Sequence, residues 1–139
     1  MPPNSLIDQL KRDEGFRATA YKDSRGILTI GYGFNIETGV LPEDVADYWL
    51  AVKAGAVQRA LSTLLPWTDK LDVVRRGVLQ NMAYNLGVNG LMQFKLLLAY
   101  AQKGDWATAA AQMQTSEWYK QVGARADRLV QQMITGEWQ

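Results

Sequence analysis

Two carboxylates and a hydroxyl lie close together near the start of the chain: Glu14, Asp23 and Thr29. They sit in the stretch Asp13–Gly33, which reads D-E-G-F-R-A-T-A-Y-K-D-S-R-G-I-L-T-I-G-Y-G. Glu14 falls where a helix should end, Asp23 at the entrance to a tight turn, and Thr29 on the strand leaving that turn. A carboxyl pair flanking one bond is the equipment of glycoside hydrolysis. Each residue also has a plainer reading. Asp23 can be a turn former bonding its own backbone, Glu14 an exposed helix end, and Thr29 an ordinary strand residue. Spacing alone does not choose between the two.

Composition removes the competing chemistries. The chain of 139 residues has no histidine and no cysteine. That excludes the histidine base of hydrolase triads, Cys–His nucleophile pairs, the HExxH zinc motif and any disulfide framework. No metal and no cofactor is expected. Fifteen basic and 14 acidic side chains give a formal charge of +1, without the basic stripe of a nucleic-acid binder. With 47% apolar and 21% charged residues, the chain has the makeup of one globular domain.

The elements that must position these residues follow from local signals. Ser5, in capping-box spacing with Asp8, opens a helix with Leu6, Ile7 and Leu10 as its apolar side, and Gly15 stops it. Glu14 then lies in the last turn, at the negative end of the helix dipole. Thr19–Lys22 and Ile27–Ile30 read as short strands around the turn Asp23–Gly26, with Gly31-Tyr32-Gly33 continuing the second strand. A long helix runs from about 43 to 64, with Val45, Trp49, Val52, Ala56, Ala60 and Leu64 as its buried face, before Pro66 ends it. Asp69–Leu86 reads as a central helix apolar on most sides, closed by Gly87, with Asn89-Gly90 as a turn. Helices follow at Leu91–Gln102, at Trp106–Met113 capped by Asp105, and at about Gly123–Ile134. Trp49 and Trp106 read as core. The pattern is α+β with the sheet segregated to one lobe.

These residues resemble the phage-type lysozymes, the endolysins of T-even phages (glycoside hydrolase family 24). The similarity rests on Asp13-Glu14-Gly15, Tyr21-Lys22-Asp23, Gly26, Thr29-Ile30-Gly31 and Gly33, with the Glu–Asp–Thr spacing kept without a gap. It continues through Leu71-Asp72, Val74-Arg75-Arg76, Asn81-Met82, Phe94, Trp118-Tyr119, Arg125-Ala126, Arg128, Thr135-Gly136 and Trp138, so it spans nearly the whole chain. The connection around Asn35–Pro42 is shortened, and the low net charge departs from the strongly basic T-even enzymes.

The resemblance implies a lysozyme-like α+β fold, with a sheet lobe at about 14–40 and a helical lobe of 1–13 plus about 65–139. A connecting helix at about 43–64 joins them, with an active-site cleft between. It implies an inverting muramidase that hydrolyses the β-1,4 bond between N-acetylmuramic acid and N-acetylglucosamine of bacterial peptidoglycan. By the same carry-over, Glu14 is the general acid, and Asp23 stabilises the oxocarbenium-like centre and, with Thr29, positions the water. Arg125 orients the acid, and Asn35, Tyr84 and Gln112 contact the saccharide. Tyr84 read by itself is equally a core residue, and Gln112 a solvated one.

The expected partner is peptidoglycan, with no nucleic acid and no integral membrane segment. The protein is expected to be a monomer whose release needs a holin. The N-terminus lacks a secretory pattern, which implies the cytoplasm of a bacterial host as the place of synthesis and the periplasmic wall as the place of action. Three other functions stay open at this point. They are a non-catalytic glycan-binding module on the same fold, membrane disruption by the Arg125–Ile134 helix, and a lytic transglycosylase.

Overall fold

Ser5 does what its spacing predicts: its hydroxyl accepts the Asp8 N–H at 3.1 Å and caps α1, Leu6–Glu14. The computed structural model of the protein describes residue 2 and residues 4–139; Met1 and Pro3, part of the leader reading, lie outside the described residues. Gly15 ends α1 at φ 69°, returning its N–H to the Lys11 carbonyl. Leu6, Ile7 and Leu10 remain exposed.

Three strands follow: β1 (Arg17–Lys22), β2 (Leu28–Gly31) and β3 (Phe34–Asn35), antiparallel in the order β1-β2-β3. The third strand corrects the expectation that Gly31-Tyr32-Gly33 prolongs the second. Gly31 and Gly33 both take positive φ, 68° and 73°, a region open to glycine at little cost. The chain therefore reverses there, and Ile30 pairs with Phe34 and Thr29 with Asn35. β2 becomes the central strand, with Thr29 facing Tyr21 on one side and Asn35 on the other.

α2 spans Glu43–Leu64 as expected, but its buried face is a different one. Val45, Trp49, Val52 and Leu64 are exposed; Leu61 is buried and Val57 packs with the core. Two apolar stripes run along this helix, and periodicity does not tell which one finds a partner. Lys53 lies over the Trp49 ring instead.

After a 3-10 turn at Pro66–Lys70, α3 starts at Val73 and not at Asp69, because Asp72 caps it by accepting the Arg75 N–H at 3.0 Å. α3 (Val73–Leu86) is the central helix, with Val78, Leu79, Met82 and Ala83 buried. α4 (Val88–Met92) takes in Asn89-Gly90, which is helix where a turn was expected, held by the buried Leu91. α5 (Lys95–Lys103) begins at Lys95 and not at the expected Leu91, which α4 takes, while α6 (Trp106–Gln114) and α8 (Ala124–Thr135) match expected helices. Between the last two lies α7 (Glu117–Val122), not anticipated, capped by Ser116.

Arg75 ties the end of α8 to α3. Its Nε donates to the Met133 carbonyl at 2.7 Å and its Nη2 to that of Ile134 at 2.9 Å, while the guanidinium stacks 4.3 Å from the Trp106 ring centre. Those carbonyls have no helical partner of their own.

The chain divides into two compact units, Met1–Ala46 and Asp47–Gln139. α1 and the three strands fall in the first of these. The apolar core, from Leu61 to Met133, belongs to the second unit. Among the described residues of the first unit, Thr29 alone is buried, at 3% exposure.

Candidate active site

Asp23 is fixed by the turn it opens. Its Oδ1 accepts the N–H groups of Arg25 (2.8 Å) and Ile27 (2.9 Å), while its own N–H donates to the Ile27 carbonyl at 2.9 Å. The plainer reading of Asp23 as a turn former is thus correct, and it does not exhaust the group. Two donors hold Oδ1, and Oδ2 is left for other work.

Thr29 stands on the central strand with its hydroxyl donating to the Ile27 carbonyl at 2.8 Å. One peptide oxygen therefore accepts from both Asp23 and Thr29. The Thr29 proton is committed inward, so the oxygen's remaining capacity is as an acceptor.

Glu14 ends α1 and is exposed. Its carboxylate lies directly over Gly33: a Cβ at position 33 would meet the Glu14 carboxyl carbon at 3.1 Å and Oε2 closer still. The glycine is needed twice, for its φ of 73° and for the space that Glu14 occupies. Helix end, turn and sheet of one unit thus carry all three candidate catalytic groups.

The other expected site residues lie on β3 and in the second unit. Asn35 is engaged in its own turn, its Oδ1 accepting from Glu37 and Thr38 and its Nδ2 donating to Thr38 Oγ1 at 3.0 Å. One amide hydrogen is left over for a ligand. In the second unit Arg125, on α8, is gripped by Asn81 of α3: Asn81 Oδ1 accepts Nη2 at 2.6 Å and Nε at 3.0 Å. Arg125, Asn81 and the exposed Tyr84 line one hollow of about 420 Å3 together with Leu50, Val57 and Trp138. Gln112 lies elsewhere, half-buried on α6.

Two contributors escaped sequence reasoning. Asn81 was visible only as a matched residue of the resemblance, without a role. Glu37, whose Oε1 accepts the Leu28 N–H at 2.9 Å beside Thr29, carried no signal of spacing at all. Among the described residues no group of three or more potential metal ligands of the His, Cys, Asp or Glu type occurs, and no helix is long and apolar enough to cross a membrane.

Comparison with known proteins joins this geometry to a lineage. The family described as phage lysozyme matches residues 11–133. The chain belongs to the phage lysozyme family. Probable T4-type lysozyme 1 of Dictyostelium discoideum is 29% identical over 163 aligned positions, covering 96% of this chain and 95% of that protein. Probable T4-type lysozyme 2 of the same organism is 27% identical, at 96% and 95% coverage. The pre-baseplate central spike protein Gp5 of Enterobacteria phage T4 is also 27% identical, across 97% of this chain but 28% of its own length. As a phage lysozyme the protein is a glycoside hydrolase with the lysozyme-like α+β fold, and its substrate is the peptidoglycan of the cell wall.

Proposed function

We propose that the chain is an inverting muramidase that hydrolyses the β-1,4 bond between N-acetylmuramic acid and N-acetylglucosamine. The observation that carries the reading is the shared Ile27 carbonyl, which holds a carboxylate residue and a hydroxyl residue in fixed relation on one turn.

Glu14 gives its proton to the glycosidic oxygen as the bond to the anomeric carbon breaks. Asp23 offers its second carboxylate oxygen to the oxocarbenium-like centre and to a water. Thr29, its own proton spent on Ile27, accepts a hydrogen bond from that water and aims its lone pair at the anomeric carbon. The water attacks from the face opposite the departing oxygen, and its surplus proton passes to the Asp23 carboxylate. Inverting enzymes need a gap of about 6.5–9.5 Å between the carboxyl groups to admit this water. Tyr84, Gln112 and the spare amide hydrogen of Asn35 are assigned saccharide contacts. Arg125 is assigned the orientation of Glu14, on the family resemblance alone.

In the cell the protein acts as a monomeric phage endolysin, made in the host cytoplasm, reaching the periplasmic wall through a holin. What supports a wall-lytic role is the likeness to probable T4-type lysozymes across 95% of their length.

Digestion of purified peptidoglycan, read by mass spectrometry and by NMR of the fresh anomer, tests the reaction. The expected products are hydrated muropeptides with inverted anomeric configuration, and Glu14→Gln should lower the rate on the order of 10²–10⁴-fold. Anhydro products, a retained anomer, or full activity in Glu14→Gln would overturn the assignment.

A further inference from the structure

We propose that Glu37 is a positioning residue for the attacking water, acting through the Ile27–Leu28 peptide on the hydroxyl of Thr29. The proposal rests on the reading of Thr29 as the group that holds that water.

The peptide group joining Ile27 to Leu28 is used at both ends. Its oxygen accepts the Asp23 N–H and the Thr29 hydroxyl, at 2.9 and 2.8 Å. Its N–H, on Leu28, donates to Glu37 Oε1 at 2.9 Å. Sheet register makes this last bond informative. Thr29 pairs with Asn35, so Leu28 stands opposite Ile36. Ile36 duly donates its N–H to the Leu28 carbonyl at 3.0 Å. In an ordinary antiparallel ladder the Ile36 carbonyl would return the bond to the Leu28 N–H. Here a side-chain carboxylate takes that place.

The substitution changes more than a partner. A hydrogen bond to a carboxylate is shorter and about twice as strong as one to a neutral carbonyl. It also polarises the peptide it binds, so the oxygen at the far end becomes a better acceptor. That oxygen is the one holding the Thr29 proton. A firmer hold keeps the hydroxyl from rotating its proton outward, where it would compete with the water's own hydrogen. Glu37 is itself aimed: its N–H and that of Thr38 both donate to Asn35 Oδ1, at 2.9 and 3.2 Å.

The test compares Glu37→Ala, Glu37→Gln, Thr29→Ala and the double variant Glu37→Ala/Thr29→Ala, measuring kcat and KM for reducing-end release from solubilised peptidoglycan. Misplacing a reacting group costs large factors in rate, so Glu37→Ala is expected to lower kcat on the order of tenfold with KM little changed. Glu37→Gln, which keeps an acceptor oxygen but loses the charge, should recover only part of the loss. In the Thr29→Ala background, removing Glu37 should cost nothing more. The Leu28 amide proton, followed by NMR, should move upfield in Glu37→Ala and by a smaller amount in Glu37→Gln. If Glu37→Ala does not fold, Glu37→Met, similar in volume but lacking an oxygen acceptor, takes its place. An unchanged kcat, a loss confined to KM, or the same factor in both backgrounds would overturn the proposal. A fully active Thr29→Ala would sink the reading of the site and this inference with it; an inactive Thr29→Ala beside a fully active Glu37→Ala sinks the inference alone.

Discussion

Asp23 and Thr29 are bound to each other through one atom, the Ile27 carbonyl oxygen, which accepts the Asp23 N–H at 2.9 Å and the Thr29 hydroxyl at 2.8 Å. Ile27 also donates its own N–H to Asp23 Oδ1. A shift of the turn therefore moves both residues together. The bonds to Asp23 Oδ1 fix the carboxylate and the Thr29–Ile27 bond fixes the hydroxyl, so the second carboxylate oxygen and the hydroxyl lone pairs keep their relation.

The turn separates the charge of Asp23 from its scaffolding. Asp23→Asn can keep its Oδ1 as acceptor for the Arg25 and Ile27 N–H groups while removing the charge. Its melting temperature should stay close to the wild type, while hydrolysis falls on the order of 10²-fold or more. Asp23→Ala also strands the two donors and should lose a further 1–3 kcal/mol or about that in urea denaturation. Equal stability of the two variants would contradict this division.

Gly33 and Gly26 offer a matched comparison. Both have positive φ, 73° and 77°, yet a Cβ at 26 meets nothing within 4 Å while one at 33 runs into the Glu14 carboxylate. Either Gly→Ala change should cost about 1–3 kcal/mol of backbone strain. Only Gly33→Ala should also depress kcat, since it displaces Glu14. Parallel thermal melts and rate measurements check the pair.

Arg75 is a prediction about stability alone. Its guanidinium meets two carbonyls at the end of α8 and the Trp106 ring. Arg75→Met keeps much of the side-chain volume and removes these charge-assisted bonds, which should lower stability by about 3 kcal/mol. The urea midpoint should drop accordingly, and a midpoint unchanged from wild type would refute the role.

Tyr119 and Asp127 link α7 to α8 by a short hydrogen bond from the phenol to the carboxylate. That bond, followed by desolvation and the nearby negative charge, raises the Tyr119 pKa above its ordinary value. Because the folded pKa lies above the unfolded one, the stabilisation is fully present below about pH 10 and is lost as pH rises through the raised value. Difference titration of tyrosinate absorbance between wild type and Tyr119→Phe should show the late-titrating phenol, and Asp127→Asn should bring it down.

Much of this was legible in the residues. Ser5 and Gly15 marked both ends of α1, and Asp23–Gly26 marked the turn, because capping and turn chemistry are local. The third strand was not legible, since glycines spaced two apart look alike in a strand and in a reversal; only the sign of φ at Gly31 and Gly33 separates them. Asn89-Gly90 misled for the converse reason: a turn-forming pair is drawn into α4 by the burial of Leu91. The buried stripe of α2 was misread because two stripes competed. Glu37 was invisible, because its importance depends on which ladder bond goes missing opposite Leu28, a matter of register and not of sequence spacing.

Thr29, the one buried residue among the described residues of the first unit, gives that unit a distinct response to temperature. Order obtained by expelling water from apolar surface weakens on cooling, and the core of the second unit is of that kind. The Asp23 turn and the Glu37 clasp are held by directed bonds between polar groups. As the temperature falls, the part of the chain bearing Glu14, Asp23 and Thr29 should keep its geometry with little dependence on the solvent's drive to shed apolar surface.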